Sequence, residues 1–474
     1  MSYECDHIIV CRTFVGRDRE LAFLEDRFSG ESRQLLVCYG RRRVGKTTLV
    51  TEFLDRSSLD HVYFLADERG TEANARRFAV QCAEALDDVP PAAEGFDDVF
   101  EYVARRTEGE FVVVLDEFSY LVERDETIAS VFQRIWDDVL ADTSVSIVLL
   151  GSSISMMEEG ALSHESPLYG RRTGQWKLAP LEFADVCDWF PAYSIEESIH
   201  AYAICGGVPA YVEQFDPDRS VLENVQERVL TKGTFLYEEP EFFLRQELRE
   251  PATYMAILEA MAGGNTTVTE IANEIGRDAK GISRYLTNLG RLEVVDRLVP
   301  VTEPNRKQGI YVITDQFFTF WFRFVYPNRS DLERGNPTPV ARSVEAGLDE
   351  HTSRAFEDVC RQAVRHPAFP VPTSRVGTWW YGEDEVDVVG IDDGEDGLVL
   401  GECKWTTAPV GRGLLADLEA KAEAVRWRGS DRTEQFVLFS KNGFTDALCE
   451  EASTRTDVSL YDLRAIADLF DVGT

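Results

Sequence analysis

Gly40, Gly45, Lys46 and Thr47 carry the spacing G-x-x-x-x-G-K-[ST]. Glycines at both ends of such a loop let the backbone close around an oxyanion that a Cβ would keep out. The stretch Gly40-Arg41-Arg42-Arg43-Val44-Gly45-Lys46-Thr47-Thr48 follows an apolar run at 35–39 and precedes a helical pattern at 48–54. A strand, a glycine loop and a helix N-terminus in that order make a phosphate cradle. Backbone N–H groups and the positive end of the helix dipole point at the anion. Lys46 is expected to reach the β- and γ-phosphates of a nucleoside triphosphate, and the Thr47 hydroxyl to enter a Mg²⁺ shell.

A second apolar run, 111–115, ends in Asp116-Glu117. A buried strand delivering an acidic pair is the requirement of a Walker B segment. Asp116 is expected to hold Mg²⁺ through water, and Glu117 to orient or deprotonate the attacking water. A third run, 146–150, ends in Gly151-Ser152-Ser153. Its hydroxyls either sense the γ-phosphate or cap a turn, and both readings stay open. Arg171 and Arg172 are open in the same way. Either could stabilise charge on the transferring phosphoryl, in cis or across a subunit contact, or stand solvated on the surface. A homo-oligomer is therefore one expected arrangement.

The segment Phe14-Val15-Gly16-Arg17-Asp18-Arg19-Glu20-Leu21 resembles the "VGR-E-L" element of archaeal-type ATPases, close to the STAND and AAA+ NTPases in the P-loop class. Cys205-Gly206-Gly207-Val208-Pro209 resembles their "GG-x-P" element. The resemblance covers about the first half of the chain. It implies that Val15, Gly16 and Arg17 pack on the adenine and ribose side, and that Pro209 abuts the nucleotide from a small helical lid. It also implies ATP rather than GTP, and the chain shows no convincing N-K-x-D guanine signature.

With 84 acidic against 49 basic residues, the formal charge is -35. The acids are dispersed, and lysine is scarce beside arginine, a composition that resembles proteins of salt-accumulating halophiles. At molar salt the Debye length falls to roughly 3 Å, so distant acidic charge repels DNA little. Global charge therefore neither supports nor excludes a DNA partner. The nine cysteines are scattered and form no C-x-x-C pair, which argues for a reducing cytosol without disulfides or structural zinc. Cys5, His7 and Cys11 lie close together but lack a fourth ligand. No signal region or membrane-length apolar run is seen, and the expectation is a soluble cytoplasmic protein.

These motifs need elements to position them. The expected fold is α/β, with 1–194 a P-loop ATPase core built on a parallel sheet and 195–247 a helical lid. Residues 248–326 read as a winged helix-turn-helix, with helices at 252–262, 266–276 and 278–289 and a wing at 292–301 and 308–314. Lys280, Ser283, Arg284 and Arg291 fall on the candidate recognition face, which either reads DNA or packs between domains. The aromatic run 317–326 reads as a buried connecting helix, 327–340 as a linker, and 341–474 as a second α/β domain.

In that last region a helix at 352–364 carries Glu357, one strand delivers Asp387, and the next runs through Glu402 and Lys404. Residues two apart on a strand share a face. Two carboxylates and a lysine can then bracket one Mg²⁺ and one water. The D-(x)n-E-x-K arrangement resembles the PD-(D/E)xK nuclease superfamily, and the region resembles the C-terminal domain of archaeal ATPases. Carried over, Asp387 and Glu402 are metal ligands, Lys404 the catalytic lysine and Glu357 an accessory acid. The leading expectation is an ATP- and Mg²⁺-dependent ATPase that repositions a winged helix and a nuclease-like domain on DNA. The alternative is a nucleotide-operated switch that binds protein or DNA and cuts nothing.

Overall fold

A computed structural model describes residues 14–30, 32–303, 309–428 and 432–472. Cys5, His7, Cys11 and the wing residue Gln308 lie outside the described residues. The chain divides into two compact units, one ending at Ala179 and the other beginning at Pro180.

The first unit runs α1 (Asp18–Phe28), β1 (Leu35–Tyr39), α2 (Lys46–Ser57), β2 (His61–Leu65), α3 (Thr71–Ala85), α4 (Phe96–Arg106) and β3 (Phe111–Asp116). It continues through α5 (Phe118–Arg124), α6 (Ile128–Arg134), β4 (Val145–Gly151), the single turn α7 (Ile154–Met156) and β5 (Gly174–Lys177). Its strands form one sheet in the order β2-β3-β4-β1-β5, with every pairing parallel. Helices cover both faces, which is why β1, β3 and β4 are buried at every position and read as unbroken apolar runs. Alternate residues still divide between the layers. Val37, Val113 and Ile147 pack with α3, α4 and α6, whereas Cys38, Val114 and Val148 pack with α1 and α2. The edge strand β2 alternates burial with exposure. Because β4 lies between β1 and β3, the strand tips bearing Gly40, Ser152 and Asp116 stand side by side.

The second unit opens with α8 (Phe183–Trp189), α9 (Ile195–Cys205), α10 (Pro209–Val212), α11 (Val221–Asn224) and α12 (Phe235–Glu247). The division after Ala179 falls before the boundary expected at 194, because α8 packs within this unit. Phe183, Val186 and Phe190 join the core of Ile199 and Tyr202, and the Phe183 N–H donates to Gln362 Oε1 at 2.8 Å. Next come α13 (Pro251–Ala262), α14 (Val268–Glu274), α15 (Ala279–Arg291) and the antiparallel hairpin β6 (Val295–Leu298) and β7 (Ile310–Ile313). A reciprocal cap starts α14: Thr267 Oγ1 accepts the Glu270 N–H at 3.2 Å, and Glu270 Oε2 accepts the Thr267 N–H at 2.9 Å. Along α15, Ile282, Tyr285, Leu286 and Leu289 are buried, whereas Lys280, Ser283, Arg284 and Arg291 are exposed.

The aromatic run forms α16 (Gln316–Phe320) and its continuation, with Phe317, Phe318, Phe320, Trp321 and Phe324 buried. The expected linker is structured. It holds α17 (Arg329–Glu333) and the start of α18 (Thr338–Arg365). Pro339 falls in the first turn of α18, where a missing N–H costs nothing, so it opens a helix rather than marking a break. Val340, Val344 and Leu348 then continue the buried stripe through Phe356 and Val359.

Last come β8 (Arg375–Tyr381), β9 (Asp384–Asp392), β10 (Gly397–Lys404), α19 (Arg412–Ala422), β11 (Thr433–Ser440), α20 (Asp446–Ser453), β12 (Val458–Asp462) and α21 (Leu463–Phe470). Their sheet has the order β12-β11-β10-β9-β8, parallel across β10, β11 and β12 and antiparallel across β8, β9 and β10. Phe356 and Val359 of α18 share a core with Val388, Val399 and Val437, whereas Leu415 and Leu418 of α19 pack with Val389 and Leu400. Among the described residues, no helix is long and apolar enough to cross a membrane.

Candidate functional site

The loop after β1 bends through two left-handed residues, Arg43 (φ 71°) and Gly45 (φ 93°), and hands the chain to α2 at Lys46. Val44 anchors it by full burial in the α1–α2 core, and Arg41 is buried beside it. Arg42 and Arg43 are half-buried, while Thr47 and Thr48 are exposed on the first turn of the helix. Helix geometry leaves the first N–H groups of α2 without intrahelical partners. Lys46 is only 6% exposed, and its ammonium donates to the carbonyls of Gly40 and Arg41, both at 3.0 Å. Burial lowers its pKa, with the charges of Glu117 and Asp116 opposing that effect. An anion in the loop would offset that desolvation by giving this ammonium a charged partner.

The two motifs meet across 69 residues of sequence. Thr47 Oγ1 donates to Asp116 Oδ2 at 2.7 Å. Glu117 adopts a left-handed backbone (φ 54°), and its N–H donates to Asp116 Oδ1 at 2.8 Å. Its carboxylate is held by Ser152, whose Oγ donates to Oε2 at 2.5 Å. Ser152 thus contacts the acidic pair instead of merely closing a turn. A hydroxyl and a carboxylate are hard oxygen donors, so this set fits Mg²⁺. Tyr63 of β2, which motif reading passed over, also donates to Asp116 Oδ2. A tyrosine hydroxyl in the run Val62-Tyr63-Phe64-Leu65 was the available signal.

Arg17 ties the N-terminal box to the loop. Half-buried Val15 and left-handed Gly16 (φ 68°) precede it, and its guanidinium donates to the Val44 carbonyl and Glu20 Oε1, both at 3.0 Å. Arg171 pairs with Asp137 at 2.9 Å, and Arg172 donates to the Leu162 carbonyl at 3.1 Å while stacking over Tyr169. Both arginines are committed within the unit. Pro209 belongs to the second unit, where it opens α10. Beside it, a Cβ on Gly207 would stand 1.8 Å from the Leu181 carbonyl oxygen, so backbone contact already demands that glycine.

The second unit brings Asp387, Glu402, Lys404 and Glu357 together. Lys404 Nζ lies 2.9 Å from Glu402 Oε2 and 3.9 Å from Asp387 Oδ2, which accepts the Cys403 N–H at 2.9 Å. Burial and the Glu402 charge raise the Asp387 carboxyl, and burial and the Asp387 charge raise Glu357 to about 7. A residue absent from the sequence reading completes the cluster: Lys421 of α19 reaches Glu402 Oε1 at 2.6 Å. Both oxygens of Glu402 are thus taken by ammonium groups. The residues do not present the open carboxylate pair expected for a metal, and no metal-dependent step follows for them. Elsewhere in this unit Glu196, His200 and Asp349 converge, but Lys441 lies between their carboxylates, at 2.7 Å from Glu196 and 3.0 Å from Asp349.

Residues 14–215 match the model of an ATPase domain predominantly from Archaea. Residues 196–318 and 321–421 match two domains of unknown function, the second described from archaeal and bacterial proteins. An uncharacterized protein of Methanocaldococcus jannaschii is 33% identical over 398 residues, 83% of this chain and 87% of its own length. An uncharacterized ATP-binding protein of the same organism is 46% identical over 46 residues, 10% of this chain and 78% of its own. Among solved structures, a Walker-type ATPase of Pyrococcus abyssi aligns with a TM-score of 0.47 and 20% identity, over 65% of this chain and 96% of that one.

Proposed function

The chain belongs to one family with the 33% identical Methanocaldococcus jannaschii protein, its residues 14–215 match the ATPase domain predominantly from Archaea, and we propose that it is a Mg²⁺-dependent ATPase acting on DNA. The observation carrying this reading is the 2.7 Å contact of Thr47 with Asp116, which joins the glycine loop to the acidic pair. In the proposed mechanism Lys46 leaves the loop carbonyls for the β- and γ-phosphates and offsets their charge. Thr47 and Asp116 would hold magnesium, which would supply further charge neutralisation when bound. Glu117 orients the attacking water and takes its proton, and Ser152 fixes the carboxylate that does so. The box at Val15, Gly16 and Arg17 is assigned to the adenine side and Pro209 to the nucleotide's lid on family resemblance.

Two substitutions test this reading at multimolar KCl. Lys46→Ala should abolish binding of labelled ATP, while Glu117→Gln should keep binding and lose turnover by about 100-fold or more. Unchanged turnover in Glu117→Gln would refute the assignment of the base.

The DNA partner rests on the exposed Lys280, Ser283, Arg284 and Arg291 of α15, followed by a hairpin, as in a winged helix-turn-helix. A second reading, strand cleavage by the C-terminal domain, is favoured by the convergence of Asp387, Glu402, Lys404 and Glu357. Lys421 stands against it by filling Glu402. The expected outcome is therefore no plasmid nicking with Mg²⁺; nicking abolished by Lys404→Ala or Asp387→Ala would establish the cleaving form.

A further inference from the structure

Asp116 has a partner that neither the motif nor the family match accounts for. Tyr63 stands opposite Val114 in the β2–β3 register and shares the α2-facing side of the sheet with Val112 and Val114. Strand pleating puts Asp116, two residues beyond Val114, on that same side. An aromatic side chain can span the diagonal between such positions. The Tyr63 hydroxyl does so and donates to Asp116 Oδ2.

That oxygen also accepts from Thr47 Oγ1 at 2.7 Å, whereas Oδ1 accepts the Glu117 N–H at 2.8 Å. A carboxylate oxygen offers about two lone-pair sites. Oδ2 is therefore filled, and the open acceptor direction belongs to Oδ1. We propose that Tyr63 is a positioning residue for the divalent cation of the ATP site: by filling Oδ2 beside Thr47, it fixes the carboxylate torsion of Asp116 and leaves Oδ1 turned to the cation's hydration shell. The inference rests on the ATP-site reading above. A water could make the same hydrogen bond but would exchange and move. A ring packed between β2 and α2 cannot, so the torsion stays set before any ligand arrives.

The test uses the full chain at multimolar KCl and a fluorescent ATP analogue, with equilibrium binding as the readout. Tyr63→Phe keeps the ring and removes the donor. Its affinity in EDTA should match the wild type within about twofold, while the Mg²⁺ concentration giving half the metal effect rises by about tenfold, as when a hydrogen bond that orients a metal ligand is lost. Asp116→Asn should raise that concentration by itself, and adding Tyr63→Phe to it should raise it no further, since the two act through one carboxylate. An unshifted Mg²⁺ half-point in Tyr63→Phe, with wild-type metal dependence intact, would overturn the role of Tyr63 and leave the ATP site standing. Equal loss of binding in EDTA and in Mg²⁺ would overturn it too, by showing a packing role. Wild-type protein without any Mg²⁺-dependent binding would overturn both readings.

Discussion

Glu357 sits half-buried on α18 beside Asp387, and its carboxyl is raised from 4.5 to about 7 by burial first and the Asp387 charge second. Arg361, 3.7 Å away, and Arg354 oppose the shift, and Glu385 adds to it. An acid with a raised folded-state pKa binds its proton more tightly folded than unfolded. Stability therefore falls as pH rises from about 4.5 through about 7, and the loss is complete above that. Glu357→Gln keeps the shape and removes the titration. We expect its thermal midpoint to match the wild type near the acid end of that window and to exceed it at pH 8. Partial exposure screens the gain to about 1 kcal/mol. Calorimetry at both pH values checks this, and a pH-independent difference would remove Glu357 from the account.

The tight junction between β1 and its glycine loop depends on the chain leaving β5. The Leu178 N–H donates to the Tyr39 carbonyl at 2.7 Å, and a Cβ on Gly40 would stand 2.4 Å from the Leu178 carbonyl oxygen. The Leu178 atoms that such a Cβ would meet are all backbone, so they cannot swing aside. Gly40→Ala should therefore push the loop away from β5, displacing the two carbonyls that hold Lys46. The expected effect is about 1–3 kcal/mol of lost stability, as for overpacking, together with weakened ATP binding. Calorimetry and nucleotide titration measure the two losses. Wild-type affinity in this variant would show that the loop adapts without help from β5.

A formal charge of -35 leads us to expect that salt stabilises the folded protein. Self-repulsion opposes the compact state of each unit, and it is screened within about 3 Å at 1 M salt against about 10 Å at 0.1 M. Many acids are already matched locally, as in exposed Arg134 with Asp97 and half-buried Arg455 with Glu419 and Asp457, but pairs this open to solvent contribute little each. We expect the thermal midpoint to rise by roughly 10 °C between 0.1 M and 2 M KCl, with about 2–4 °C for each kcal/mol gained. Differential scanning calorimetry across a KCl series reads this directly. A flat or falling midpoint would break the link between composition and salt.

Sequence alone determined what depends on neighbours along the chain. The glycine loop at 40–48, the apolar strand before Asp116, the cap at Thr267 and the buried face of α15 are local patterns. Hydrogen-bond chemistry and side-chain period make each of them readable without the fold. Tertiary structure alone decided what depends on residues brought together from afar. Tyr63 meets Asp116 across 53 residues and Lys421 meets Glu402 across 19, because strand order and helix docking, which no local pattern encodes, set those distances. The helical start of α18 at Pro339 belongs to the same class. A proline reads as a break until the Val340–Val344–Leu348 stripe finds the core that a helix lets it reach.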